Sequence, residues 1–495
     1  MIPPFITVLI KDNKMFIKDF LINDARLIKG DENISVKSLA IDSRKCTQGS
    51  MYFAIDGTQV DGHKFVDSAY KNGAVCAVVE REVDCPIPQI LVKNTRLQMS
   101  YMASLFYGNP SKKLKMLGVT GTNGKTSISY MVKAIAKANN ISCGVIGTGG
   151  IWLNDEKLDI KILTATTPDP IELQYALSEM VKKGAKWVVM EVTAHALDLY
   201  KVNGINFVSA GFTNLTQDHL EYFITMENYA LAKAKFFEKN LSQNGIINID
   251  DEFGKTLLNK EIPCLTYSYK EKADLFAKNV KIEATYSTFD LEYNNETYNV
   301  RTNTTGLFNI SNVLCAIGCA LKAGLDIKDC IKGISAFSSV PGRFESVDTN
   351  GREITVIVDY AHTPDGLENI LAAINTFKKG RLICVFGCGG NRDTAKRAIM
   401  GEIAGRLSDY CVLTSDNPRF EEPEAIIDQI EQGIKKTSCP YVRNADRFSA
   451  IKHALEYAKK GDVIAICGKG DEDYQEILGV KHHFSDREAV EEIVC

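Results

Sequence analysis

Residues 118 to 127 read Gly-Val-Thr-Gly-Thr-Asn-Gly-Lys-Thr-Ser. The apolar residues Met116 and Leu117 lead in, and Ile128, Met131, Val132 and Ile135 follow at helical spacing. A glycine-rich turn between a strand and a helix gathers backbone N–H groups around phosphate oxygens at the helix N-terminus. Gly121, Thr122, Asn123 and Gly124 are the candidates for that turn, with Ser127 closing the motif. Lys125 would reach terminal phosphates, and the Thr126 hydroxyl would reach Mg²⁺. The competing reading is a glycine-rich turn with an incidental lysine. The general P-loop has glycine where this chain has Val119; here the glycines fall at 118, 121 and 124.

Three further groups could act beside a bound phosphate. Glu191 directly follows the apolar run Trp187 to Met190 and precedes Val192-Thr193-Ala194-His195. A carboxylate at a strand end suits Mg²⁺, which prefers hard oxygen ligands; the alternative is a solvated loop carboxylate. A second apolar run, Phe207 to Phe212, leads into Thr213-Asn214-Leu215-Thr216-Gln217-Asp218-His219-Leu220. His219 reads equally as a second metal ligand or as a helix-start histidine. Lys233 and Lys235 lie between Tyr229 and Phe237, where a lysine pair on a helix is ordinarily solvated surface.

Those groups need a scaffold that brings strand ends together. We read three blocks, residues 1–115, 116–345 and 346–495. The first mixes short strands (Met51 to Ile55, Val75 to Glu80, Ile90 to Val92) with a helix near 64–72. The second starts at the phosphate turn, and its apolar runs between helical patterns predict a parallel sheet covered on both faces. The third repeats the alternation. Strands are expected at Ile354 to Val358, Leu382 to Phe386, Cys411 to Thr414 and Val463 to Cys467, with helices at 364–376, 395–406 and 423–435. The fold class is α/β: an N-terminal α/β domain, a central P-loop parallel-sheet domain and a C-terminal Rossmann-like domain. Ligands of such sheets bind beyond the carboxyl ends of the strands. The motifs Asp359 to His362, Gly387 to Asp393, Ser415 to Arg419 and Gly468 to Glu472 all fall there.

A length of 495 residues fits two to four domains. A net charge of −4 gives no electrostatic case for nucleic acid or an anionic membrane surface. The fourteen cysteines show no zinc-like pairing, and Cys76, Cys384, Cys411 and Cys467 sit in strand-like runs, which fits a reducing cytoplasm. No apolar run approaches the roughly 18 residues of a membrane span. The run Phe5 to Ile10 is short and lacks a basic leader, so no secretory signal is expected. Met15 opens a cleaner pattern than Met1 and is a candidate start. A monomer is expected.

The glycine spacing, with Asn before the last Gly, is similar to that of the Mur ligase family. The motifs at 118–127, 166–170 (TTPDP), 191–197, 213–220, 306–312 (GLFNISN), 341–345 (PGRFE), 358–366 (VDYAHTPDG), 387–393 (GCGGNRD), 416–419 (DNPR) and 468–475 (GKGDEDYQ) occur in family order. The chain resembles that family from about Asp42 to Asp486, and within it the branch that adds the third amino acid of the peptidoglycan peptide to UDP-N-acetylmuramoyl-L-alanyl-D-glutamate. The resemblance implies ATP, two Mg²⁺ ions and an acyl-phosphate intermediate. It implies that Lys125 and Thr126 bind phosphate and metal, that Glu191 and His219 bind metal, and that Lys233 is carbamylated to supply a second-metal carboxylate. By the same resemblance Asn309 and Arg343 contact ATP, and Asp359 lies near the ribose with His362 in its motif. Ser43, Arg44, Asp61, Gly62 and His63 match the uridine-binding signature. Thr166 and Thr167 match contacts to the UDP-sugar and its D-glutamate, and Thr193 and Lys201 stand on the same acceptor side.

The amino acid implied is meso-2,6-diaminopimelate. Asp416-Asn417-Pro418-Arg419 resembles the diaminopimelate-adding branch, in which a guanidinium clamps the extra carboxylate that L-lysine lacks. Arg392, Gly468 and Glu472 match positions around the same substrate. The chain departs from the family at Thr193 and Ala194 (serines), Leu199 and Lys201 (Gln and Arg) and Asp471 (His). These changes leave room for another amino acid such as L-lysine, or for a paralogue with an altered acceptor. A folylpolyglutamate or cyanophycin synthetase type is opposed by the DNPR tetrad, and a non-catalytic ATP-binding regulator by the joint presence of Lys125, Glu191, His219 and Lys233.

Overall fold

The structure is a computed structural model that describes residues 14–57, 60–160, 164, 166–259, 261–283, 285–338 and 340–495. The expectation for Phe5 to Ile10 falls outside them, as do all but one of the residues that would precede a start at Met15. The chain divides into two compact units. One holds residues 1–118, 141–210 and 235–243, the other 119–140, 211–234 and 244–495.

In the first unit, strands run in the order Arg26–Lys29, Gln89–Leu91, Ala74–Val79, Ser50–Phe53 and Ser38–Ala40. The last four are parallel. Alternation along Ala74–Val79 explains why the run is wholly apolar. Cys76 and Val78 join a core with Met99, Met102 and Phe106 of the helix Thr95–Phe106, while Ala77 and Val79 join one with Val66 and Ala69. The same unit holds the parallel pair Cys143–Gly147 and Trp187–Glu191, extended by the antiparallel strand Gly150–Leu153.

In the second unit, helix Lys125–Ala138 packs against Leu307–Lys322 and Ile327–Ala336. Gly333 lies directly on the Ile135 backbone, which allows the close approach. Strands Gly245–Asn248, Cys264–Ser268 and Leu275–Ile282 are parallel. Ser287–Tyr293 and Glu296–Thr302 then pair antiparallel, a hairpin the sequence reading did not include. Its turn is Asn294-Asn295, both at positive φ, the geometry that two-residue hairpins need.

The rest of the second unit is a six-stranded sheet in the order Glu345–Val347, Thr355–Asp359, Val463–Cys467, Leu382–Phe386, Tyr410–Leu413 and Tyr441–Arg443. All but the first strand are parallel. Helices Pro364–Asn375, Ala395–Leu407 and Pro423–Ile434 cover one face, and Arg447–Tyr457 and Asp486–Val494 the other. Expected strands and helices here stand within one residue of those observed. Because the strands are parallel, Asp359, Gly387, Thr414 to Arg419 and Gly468 emerge at one end of the sheet. Among the described residues no helix is long and apolar enough to cross a membrane.

Candidate functional site

The phosphate turn is built as its sequence requires. Gly121 and Gly124 have φ of +143° and +89°. A side chain at Gly121 would overlap Thr213 Oγ1, and one at Gly124 would overlap Asn312 Oδ1. Thr213 Oγ1 donates to Asn123 O (2.6 Å), Asn214 Oδ1 accepts from Asn123 N (3.0 Å), and Asn123 Nδ2 donates to Asp365 Oδ2 (2.6 Å). Lys125 Nζ folds back onto Gly121 O (2.9 Å) and Thr122 O (2.7 Å). Thr126 and Ser127 are buried in the first turn of the helix, and Arg343 Nη2 stands 3.5 Å from Thr126 Oγ1. The Arg343 guanidinium lies 3.9 Å from the centre of the Tyr360 ring.

The other residues assigned to ATP face the same loops. Asn309 Nδ2 donates to Thr305 O (2.9 Å) and its Oδ1 accepts from Asn312 Nδ2 (3.2 Å). Both Asp359 oxygens accept backbone N–H groups, of Phe344 and Ala361, at 2.7 Å each, while burial pushes its carboxyl upward. Half-buried His362 shares Nδ1 with Tyr360 O (2.9 Å); lost hydration and then the Lys396 charge pull it down to about 4.

Lys233 is 1% exposed, on the helix Met226–Ala234. Its ammonium lies 4.3 Å from the centre of the Tyr229 ring. Burial, and then the like charge of Lys125, drives its pKa well below that of an ordinary lysine; only Asp218 opposes them. Lys235 differs. The α-helix ends at Ala234 and Lys235 begins a 3₁₀ turn, so the two lysines do not share one regular helix. It pairs with Asp198 at 2.9 Å. His219 starts the short helix Leu220–Phe223 at φ +56° and stands between Asp218 (3.4 Å) and Glu221 (3.6 Å). Burial lowers its pKa, which favours the neutral ring. Asp218 itself is pushed up by burial, but His219, His362, Lys396 and Lys125 outweigh that and hold it ionised.

In the first unit Thr148, Thr166, Thr167, Glu191 and Thr193 form one network. Glu191, 2% exposed, accepts from Thr148 N (3.0 Å) and Thr148 Oγ1 (3.1 Å). Thr148 Oγ1 also meets Thr166 Oγ1 at 3.1 Å, and Thr166 has φ +69°. Thr167 Oγ1 donates to Glu191 O (2.9 Å) and accepts from Thr193 N (3.2 Å). Thr193 Oγ1 in turn caps the helix Ala194–Asp198. Lys201 is buried and pairs with Asp169 of the TTPDP motif at 2.8 Å. Near the N-terminus, Ser43 is buried, its carbonyl accepts from Asn72 Nδ2 (3.0 Å), and exposed Arg44 folds onto Asp42 (2.9 Å). Asp61 Oδ1 accepts from His63 N (3.0 Å) and lies 2.7 Å from His63 Nδ1, and Arg81 closes on its other oxygen. His63 Nε2 accepts Glu80 N–H (2.9 Å), so Nδ1 carries the proton. The His63 N–H bond, helped by the His63 ring and Arg81, holds Asp61 down at about 2. Gly62 has no room for a side chain against Ile55.

At the end of the six-stranded sheet, the DNPR tetrad is anchored at every residue. Gln475 Nε2 donates to Asp416 O (2.7 Å), and a side chain at Gly468 would overlap Asp416 Oδ2. Asn417 Nδ2 donates to Glu472 Oε2 (2.8 Å), and its Oδ1 accepts from Glu476 N (2.9 Å). Lys469, fully buried, stands 3.3 Å from both Asn417 Oδ1 and Glu472 Oε2. Burial, and then the Asp416 charge, raises the Glu472 carboxyl. Pro418 O would meet any side chain on Gly390. Arg419 has φ +52° and donates from Nη1 to Gly390 O (2.8 Å). Arg392 is exposed on the neighbouring loop. Among the described residues no group of three or more His, Cys, Asp or Glu is gathered to hold a metal.

Matches to known proteins follow this geometry along the chain. Residues 35–107 match the model of the Mur ligase family, catalytic domain; 119–320 match the Mur ligase middle domain; 342–470 match the Mur ligase, glutamate ligase domain. This chain belongs to the Mur ligase family. It is 43% identical over 471 residues, 94% of its length and 96% of the relative's, to UDP-N-acetylmuramoyl-L-alanyl-D-glutamate--2,6-diaminopimelate ligase of Caldanaerobacter subterraneus subsp. tengcongensis. It is 45% identical over 478 residues, 94% and 96% of the two chains, to ligase 1 of the same name from Clostridium acetobutylicum. A solved structure of UDP-N-acetylmuramoyl-L-alanyl-D-glutamate--2,6-diaminopimelate ligase superposes with a TM-score of 0.71 at 31% identity, covering 97% of this chain and 99% of that one.

In this member of the Mur ligases several neighbours escaped the sequence reading: Thr148, Asp169, Asp218, Tyr229, Asn312, Lys469 and Glu476. Some had a signal. Asp169 sits inside TTPDP, Asn312 inside GLFNISN and Lys469 inside GKGDEDYQ. Thr148 and Tyr229 had none, because their place follows from strand pairing and helix packing.

Proposed function

We propose that this chain is an ATP-dependent amide ligase that joins meso-2,6-diaminopimelate to UDP-N-acetylmuramoyl-L-alanyl-D-glutamate, acting as a cytoplasmic monomer in peptidoglycan precursor synthesis. The observation that carries the reading is the DNPR turn. A guanidinium, Arg419, is fixed on the turn whose Asn417 holds a half-buried carboxyl, Glu472, in a chain 43–45% identical to relatives named for 2,6-diaminopimelate. A diamino diacid has a carboxylate for the first and an ammonium for the second. Burial and the Asp416 charge raise the Glu472 carboxyl against the pull of Lys469, and a substrate ammonium would oppose that rise.

The reaction turns a carboxylate into an acyl phosphate, which an amine then attacks, releasing phosphate. The turn at 121–124, Lys125 and Thr126 bind the ATP phosphates, with Asn309, Arg343, Asp359 and His362 around the nucleotide. Lys125 exchanges its two carbonyl partners for phosphate oxygens and offsets charge as the phosphoryl group moves. Mg²⁺, when bound, polarises the phosphoryl oxygens. The Thr126 hydroxyl and the Glu191 carboxylate are oxygen donors of the kind it prefers, and the His219 ring would add a nitrogen. Lys233 supplies the remaining carboxylate after its neutral amine adds to CO₂, giving a carbamate and a proton. Ser43, Arg44 and Asp61 to His63 hold the uridine end, and Thr166, Thr167, Thr193 and Lys201 the peptide end. Arg392, Asp416 to Arg419, Gly468 and Glu472 hold diaminopimelate. We propose domain boundaries at 115/116 and 345/346.

The test is product formation from UDP-muramoyl-dipeptide and ATP with meso-diaminopimelate or L-lysine, read by mass and by ADP release. Preference for L-lysine in side-by-side kinetics overturns the amino-acid assignment, and ADP release without amino acid or product overturns the ligase. One observation favours a variation at the acceptor. Lys201 is committed to Asp169 and lacks a guanidinium's fork, so an acceptor carboxylate is held there without a bidentate clamp.

A further inference from the structure

We infer that Glu476, on the hairpin Tyr474–Ile477/Val480–His483, is a positioning residue for the amino-acid site: with the backbone of that hairpin it sets the direction in which Arg419 presents its guanidinium. The inference rests on the reading of Arg419 as the group that meets the distal carboxylate of the incoming amino acid.

Arg419 is held in a left-handed backbone conformation that arginine seldom adopts. The hairpin imposes it. Arg419 N donates to Glu476 O (3.0 Å) and Leu478 N donates to Arg419 O (2.7 Å), so one hairpin strand takes both backbone groups of the residue. The hairpin turns through Leu478 and Gly479, at φ of +50° and +77°, and so presents Glu476 and Leu478 together. From the same strand, Glu476 Oε2 lies 3.4 Å from Arg419 Nε. On the other side, Nη1 donates to Gly390 O (2.8 Å). A side chain at Gly389 would displace that nitrogen, which gives the double glycine of GCGGNRD a purpose.

A guanidinium has five N–H donors. The Nε edge is taken up by the ion pair with Glu476, and one Nη1 hydrogen is spent on Gly390. The three that remain include one on Nη1 and two on Nη2, which together form the end-on fork that fits a carboxylate with two parallel bonds. Had Nε been left open, the side-on fork of Nε and Nη2 would compete, and the carboxylate would be received in a different direction. The loop beneath is fixed as well. Fully buried Arg397 donates to both oxygens of Glu421 (2.8 and 3.0 Å) and to Gly389 O (3.2 Å). Among the described residues Glu476 is thus the one side chain that forms an ion pair with Arg419, at its Nε edge, and it is only about a quarter exposed.

The experiment is a double-substitution cycle on the full chain, read as kcat/KM for the amino acid. Glu476→Ala should lower kcat/KM for meso-diaminopimelate by tenfold or more through KM, with kcat and the KM for ATP within twofold of the original. In an Arg419→Ala background the same change should add less than twofold. Glu476→Gln keeps an oxygen for Nε and should lose about threefold, which also answers if the alanine variant folds poorly. An equal loss with and without Arg419, or no loss at all, overturns the inference. If the unmodified chain joins another amino acid, the diaminopimelate reading fails by itself, and the cycle run with that amino acid decides the role of Glu476 by the same two criteria.

Discussion

Lys233 and Arg419 are two cations of the same compact unit, held in opposite ways. Lys233 is buried against an aromatic ring, with a second lysine as its strongest charged neighbour, so its charged form is disfavoured. Arg419 is a fifth exposed, faces a carboxylate at 3.4 Å and is tied to a carbonyl. A group that must react as a free amine is served by lost hydration and like charge. A group that must recognise an anion needs its charge kept and its direction fixed. The chain places a lysine in the first setting and an arginine, which cannot give up its proton, in the second.

Removing Lys233 should break the contrast most severely. Lys233→Ala is expected to lower turnover about 10³-fold or more, on the scale of losing a charge-stabilising group in a dry site. Formate or acetate should restore part of it by standing in for the carbamate. Lys235→Ala removes only a half-exposed pair with Asp198 and should keep most activity. Full activity of Lys233→Ala with loss in Lys235→Ala would reverse the assignment. A pH profile sharpens the point. Acid protonates the Lys233 amine and drives CO₂ off, so activity lost after exposure to low pH should return faster when bicarbonate is supplied.

Arg419 stands next in size. Arg419→Ala should reduce discrimination for diaminopimelate over L-lysine by roughly 2–5 kcal/mol, more than tenfold, while ATP binding by calorimetry stays unchanged. Loss of ATP affinity of the same size would mean that the DNPR turn supports the fold and not the amino acid.

The two settings were unequally legible in the sequence. Arg419 could be read because Pro and Arg follow a strand end in a recognisable tetrad, and parallel strands put such ends on one face. What fixes its guanidinium could not: Glu476 arrives through a hairpin whose register depends on Leu478 accepting a positive φ, which no composition rule suggests. Lys233 read as surface, since spacing cannot show that its helix turns inward; only the family likeness selected it. The four strands that were read in the six-stranded sheet stood within a residue because apolar runs buried on both faces are hard to misplace, while the short edge strands Glu345–Val347 and Tyr441–Arg443 were not read. The hairpin after Tyr293 was passed over because its strands are half polar, with exposed Glu296, Thr297 and Asn299.

Lys201 extends the comparison to the first unit, where a buried lysine is paired with a carboxylate. Its pair with Asp169 is about 11% and 20% exposed. Lys201→Ala should destabilise by roughly 1–3 kcal/mol, below the range for a fully buried pair because water still reaches Asp169. It should also raise the KM for UDP-muramoyl-dipeptide several-fold. Lys201→Arg can keep the ion pair and should recover stability. If the alanine variant melts with the unmodified chain, the pair is not carrying structure.

Asp61 gives the smallest effect and a different test of the same idea, because its charge is satisfied by the fold itself. The N–H of His63, the His63 ring and Arg81 hold its carboxyl at about 2, against 3.8 without them. A carboxylate with a lowered folded pKa binds protons more weakly folded than unfolded, so its contribution is complete above the unfolded value. It is then lost as pH falls from about 4 toward about 2. Full weighting of the shift would give roughly 2.5 kcal/mol, but Arg81 is more than half exposed, and about 1–2 kcal/mol is the expected size after screening. Asp61→Asn keeps an oxygen for the His63 N–H and removes the charge. Its deficit in urea should be constant from pH 7 to 5 and shrink below pH 4. A deficit that stays constant down to pH 3 would mean that the loss is one of packing around Gly62, and that the charge of Asp61 contributes nothing.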